Sequence, residues 1–118
     1  MLDTKAKDKE LLVSAICGYL PYGLEVNYDN EICDCVGYAH GKVILVKKFS
    51  SVSFGVDVEL VKPYLRPMSS MTEEEERIYF NFLSWKSKMK FCQEKHFDYH
   101  ELIEKGIAIE MPKDMYND

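Results

Sequence analysis

The hydrophobic period changes twice along this chain, and each change fixes the kind of element that can form. Between residues 7 and 19, Leu11, Leu12, Ala15, Ile16 and Tyr19 recur at helical spacing and make one apolar stripe. Gly18 weakens the end of this helix, and Pro21 drives Leu20 out of the α region. From Leu24 the period falls to two: Leu24, Val26 and Tyr28 alternate with Glu25, Asn27 and Asp29, as in a half-buried strand. At Thr72 the helical period returns. Helix, strands and helices in separate blocks predict an α+β domain with an antiparallel sheet.

Turn chemistry divides the β block. Asp29-Asn30 and His40-Gly41 predict tight turns, with a strand over 31–39 between them and its hairpin partner over 42–49. Ser50-Ser51 breaks the run, residues 52–54 read as a short strand, and Val56, Val58 and Leu60 alternate until Pro63 ends the pattern. Four or five short antiparallel strands must close on themselves or be covered. The expectation is a curled meander packed by the first helix.

The third block opens on an extended loop, 62–71, in which two prolines fix φ and remove two donors. Arg66 offers five donors for carbonyls that such a loop leaves orphaned. Thr72 and Glu75 form a capping box, and Glu73 to Glu76 set negative charge at the positive end of a long helix running to about Lys95. Ile78, Phe82, Trp85, Met89 and Cys92 form a seam expected to lie on the sheet, with Trp85 in the core. Asp98, with Glu101 as box partner and Gly106 beyond the end, predicts a short C-terminal helix. Ile107, Ala108 and Ile109 read as a last strand, and 112–118 as a loose tail.

Size and charge bound the function. A chain of 118 residues is one domain, 1–118, long enough to bury a core without metal or disulfide. No apolar run approaches the ~20 residues of a membrane span, and residues 1–10 lack the apolar stretch of a secretion signal. The expected compartment is the cytoplasm, with Cys17, Cys33, Cys35 and Cys92 as reduced thiols. A net charge of -5 argues against broad phosphate-backbone binding. Lys42, Lys47 and Lys48, then Lys86, Lys88 and Lys90, are the local exceptions.

Few residues group into chemistry. Cys33 and Cys35 share a strand face and, with Cys92 and His96, would supply four zinc ligands. Zinc ribbons use paired Cys-x2-Cys knuckles, and the chain has none, so neither metal nor cofactor is expected. Cys92, His96 and His100 are spaced four and four, but a cap at Asp98 would break the helix between the histidines. Cys92, His96 and Asp98 stand too close in sequence to converge as a nucleophile, base and orienting acid. Neither a nucleophile elbow nor a phosphate-binding loop occurs, so an enzyme is the weaker reading and no catalytic residue is assigned. Tyrosine is in excess: Tyr22, Tyr28, Tyr38, Tyr64, Tyr99 and Tyr116 cannot all be interior, and tyrosine is favoured at recognition surfaces.

Two segments carry a resemblance. They are Lys62-Pro63-Tyr64-Leu65-Arg66-Pro67-Met68-Ser69-Ser70-Met71-Thr72-Glu73-Glu74-Glu75 and His96-Phe97-Asp98-Tyr99-His100-Glu101-Leu102-Ile103-Glu104-Lys105-Gly106-Ile107-Ala108-Ile109-Glu110, the latter followed by Met115-Tyr116-Asn117. With Leu20-Pro21-Tyr22-Gly23, these resemble a group of small uncharacterised proteins encoded by phages and prophages of gut Bacteroidetes. The likeness covers about a third of the chain. It implies a mobile-element origin and a bacterial host cell, and brings no reaction or ligand with it. The expected function is therefore a non-catalytic phage or prophage accessory protein that binds a host or phage protein. Tyr64, Arg66 and Tyr99 are the candidate binding residues, since Tyr and Arg dominate interface hot spots. The alternative is a small nucleic-acid-associated β-barrel using Lys42, Lys47, Lys48, Phe49 and Phe54, with a metal-dependent enzyme third. The sequence leaves the oligomeric state open.

Overall fold

The computed structural model describes residues 2–48 and 50–115, so Phe49 and Tyr116 lie outside the described residues. The architecture is α+β. Helix α1 (Leu2–Tyr19) is followed by strands β1 (Leu24–Tyr28), β2 (Glu31–Ala39), β3 (Lys42–Lys47), β4 (Ser53–Asp57) and β5 (Val61–Leu65). Helices α2 (Glu73–Asn81) and α3 (Trp85–Lys95) come next, then a short β6 (Ile109–Glu110). The α1 stripe sits where its spacing placed it, with Leu12, Ala15, Ile16 and Tyr19 buried against the sheet.

Two hairpins set the register. Asp29 and Asn30 take φ of 52° and 62°, and His40 and Gly41 take 53° and 78°, so both loops use two left-handed residues. That geometry matches the natural twist of paired strands. Leu24 and Val26 then pair with Cys35 and Cys33, while Cys35 pairs with Leu45, which sends one apolar set to the inner face. Val36 is the extra residue of a bulge between Cys35 and Gly37, and it stands exposed.

The strand order is β4-β3-β2-β1-β5-β6. The meander therefore covers only β1 to β4, β5 returns beside β1, and β6 joins β5 in parallel. Only three residues, Val58–Leu60, connect β4 to β5. Such a link reaches roughly 14 Å from Asp57 to Val61, whereas four flat strand spacings need about 19 Å. The sheet must therefore curl. Val58, fully buried, fills the curl beneath α1.

Several expectations need correction. The expected strands over 52–54 and 56–60 are one strand, β4, followed by a 3-10 turn. Pro63 does not end the β pattern but sits inside β5. There β6 pairs only with Tyr64 and Leu65, so β5 is still an edge beside the proline. The long helix is two helices, because Phe82 leaves the helical region at ψ 130° and Ser84 caps α3. The predicted C-terminal helix is a series of turns: Glu101 adopts φ 59°, a left-handed value that no helix continues. Asp98 still caps this segment, accepting the Leu102 and Ile103 N–H groups at 2.8 and 2.9 Å.

Breaking the long helix also redistributes its apolar residues. Tyr79 and Phe82 turn inward onto Phe91, which with Cys92 and Phe97 forms a second, smaller core. Trp85, expected in the core, is 62% exposed.

Candidate functional site

The two segments that carry the resemblance meet in space. The Arg66 N–H donates to the His96 carbonyl at 2.8 Å, and the Asp98 N–H donates to the Arg66 carbonyl at 2.7 Å. Arg66 is 5% exposed. Its Nη1 and Nη2 donate to the two Glu75 carboxylate oxygens at 3.0 and 2.9 Å, and Nη2 also reaches the Ser70 carbonyl at 3.2 Å. The guanidinium carbon stands 4.4 Å from the Phe97 ring centroid. Burial pushes the Glu75 carboxyl up, but hydrogen bonds from Arg66 and the Thr72 N–H outweigh it and hold the group below its ordinary value.

The other two candidate residues are also engaged internally. Tyr64 is buried, and its hydroxyl accepts from Asn27 Nδ2 at 3.0 Å. The half-buried Tyr99 accepts from Gln93 Nε2 at 3.0 Å and packs against the rings of Tyr19 and His100. Gln93 closes on α1 as well: a Cβ at Gly18 would meet its Nε2 at 2.7 Å.

The cysteines do not converge with histidine. Cys33 and Cys35 face the main core and Cys92 the second one. Among the described residues, no group of three or more His, Cys, Asp and Glu stands placed to hold a metal ion. Burial pushes the Cys35 and Cys92 thiols up to about 11 and also raises Cys33, whereas Cys17 is exposed. His96 follows α3 in the left-handed region at φ 62°, so His96 and His100 do not continue the Cys92 face. Its Nε2–H donates to the Gly23 carbonyl, and its ring stacks on Tyr19 with 6.0 Å between centroids.

The lysines named for nucleic acid are paired with acids. Lys42 meets Asp57 at 3.4 Å, Lys47 meets Glu31 at 3.3 Å, and Lys48 bridges Glu25 and Asp34 at 2.9 and 2.8 Å. Phosphate would have to displace these carboxylates, which weakens counterion release as a driving force. Phe54 is half-buried against Tyr28.

A cleft of about 560 Å³ opens between the sheet and the end of α3, lined by Tyr22, Glu25, Asp34, Lys48, His96 and Met111 among others. Its Lys48 is already held by two carboxylates, and hydrogen bonds to Asp34 and Glu25 keep it protonated to higher pH than usual. The cleft thus balances its own charge.

The largest exposed apolar side chains gather at the corner between α2 and α3, while Val36, Val52 and Leu60 are exposed elsewhere. Phe80 and Trp85 are 70% and 62% exposed and Leu83 is fully exposed, whereas Ile78, two residues from Phe80, leaves the other flank of α2. A single exposed leucine means little, but a cluster of large apolar side chains on one corner is an interaction signal. Charge flanks it with opposite signs: Glu73, Glu74 and Glu76 are exposed on α2, and Lys86 and Lys90 on α3. Lys88 lies over the Tyr79 ring, 5.2 Å from its centroid. Sequence reasoning assigned Ile78 and Trp85 to a buried seam. The signal was present, because Tyr79, Phe80, Phe82, Leu83 and Trp85 exceed what one helical stripe can hold.

No protein-family model, curated protein or solved structure matches the chain. Among the described residues, no helix is long and apolar enough to cross a membrane.

Proposed function

We propose that this is a non-catalytic phage or prophage accessory protein that works in the bacterial cytoplasm by binding a host- or phage-encoded protein through the α2–α3 corner. The observation that carries the reading is the exposure of Phe80, Leu83 and Trp85 together. Aromatic anchors of this kind supply much contact area at small entropic cost, and Trp ranks first among interface hot spots. The phage origin rests on the two resembling segments, and their role here is to brace the corner. Arg66 and Glu75 fix the start of α2, and Phe97 underpins α3 through Phe91.

The test is affinity capture from a lysogenic or infected host, comparing wild type with a Leu83→Asp, Trp85→Ala double variant whose melting temperature is checked first. A protein enriched on wild type and lost from an equally stable variant supports the reading. Equal enrichment on both overturns it.

A further inference from the structure

We infer that the occupant of the α2–α3 corner is a second copy of this chain, docked about a two-fold axis so that α2 of each protomer lies along α3 of the other. This rests on the corner being the docking surface, and it names the phage-encoded partner as the protein itself.

A two-fold interface has to be self-complementary, since each side presents the same patch. The corner meets that condition in charge. On α2, Glu73, Glu76 and Phe80 fall at helical spacing on one exposed face. On α3, Lys86 and Lys90, four apart, do the same beside Trp85. Arg77 and Glu94, further exposed charges on the two helices, again carry opposite signs. The spacing agrees as well. Glu76 lies five residues before the last residue of α2 and Lys90 five after the first of α3, so each stands about 7 Å along its helix. With the two corners facing, Glu76 of one protomer comes opposite Lys90 of its partner, and the contact occurs twice. A partner with a single sign of charge would leave one of the two helices repelled.

The size of the patch sets the strength. Phe80, Leu83 and Trp85 expose on the order of 450 Å² per copy, so a pair buries about 900 Å² of apolar surface, and the charged rim brings the total to the lower edge of specific interfaces. The expected dimer is weak, dissociating in roughly the micromolar range.

The experiment is sedimentation velocity of the full chain over a dilution series, with thermal melts of every variant. Wild type is expected to move from dimer to monomer on dilution, and Leu83→Asp to remain monomeric at an unchanged melting temperature. Glu76→Lys alone and Lys90→Glu alone should each weaken dimerisation about tenfold by setting like charges against each other twice. An equimolar mixture of the two should regain wild-type affinity, because every contact is again between opposite charges. A wild type that stays monomeric at every concentration overturns the dimer. If the corner variant still loses a captured protein, the docking surface itself stands. A dimer indifferent to Leu83→Asp, or charge variants that do not rescue each other, overturns the two-fold pairing.

Discussion

Arg66 is worth more as a brace than its single charge implies. Its side chain is 6% exposed and that of Glu75 15%, so their contact is shielded from solvent. Such a pair adds little over a well-packed apolar substitute, yet removing one partner strands the other charge. Arg66→Met, which strands the Glu75 carboxylate, and Glu75→Gln, which strands the more deeply buried Arg66 cation, should therefore each cost about 3 kcal/mol in urea unfolding. Acid tells them apart. Glu75 is held below its ordinary 4.5 in the folded protein. A depressed acid stabilises the fold above its unfolded pKa, and that contribution is lost as pH falls through the folded value. Wild type should lose stability below pH 4.5, and Glu75→Gln should lose less over the same window; identical pH profiles would show that the pair is energetically idle.

At the scale of elements, the legible parts are those written in local chemistry. Asp29-Asn30 and His40-Gly41 announce their turns because few residues tolerate left-handed backbone. Thr72 and Glu75 announce a helix start because each satisfies the other's backbone N–H. What stayed hidden depends on neighbours distant in sequence. Pro63 is tolerated in β5 because β6 pairs beyond it, and β6 arrives from the far end of the chain. The break at Phe82 is a packing decision: the second core accepts Tyr79 and Phe82 on Phe91, which a continuous helix could not deliver together with Cys92. Arg66 was legible as a donor to loop carbonyls, while its grip on Glu75 was not. Ser84 consolidates the break, accepting the Ser87 N–H at 3.1 Å. Ser84→Ala should cost about 1 kcal/mol, while Trp85→Ala, an exposed change, should stay within about 0.5 kcal/mol in the monomer. Urea titrations of both variants check the order, and a large loss at Trp85 would return that residue to the core.

As a whole, the molecule is a plate of 40 × 38 × 21 Å, a curled sheet under one helix with the α2–α3 unit at its side. The two cores are unequal. The main one draws on α1 and five strands, whereas α2 buries no residue fully and α3 only Phe91 and Cys92. Cooperative units with few buried contacts open at lower free energy than the body of a protein. The backbone hydrogen bonds of α2 and α3 should thus exchange with deuterium well before those of β1, β2 and β3, and uniform protection would contradict this partition. The same inequality makes the corner a reporter. Because its opening is decoupled from the sheet, whatever covers Leu83 and Trp85 should slow exchange in two helices and leave the strands almost silent, so the isotope pattern would betray an occupant before anyone knew what it was.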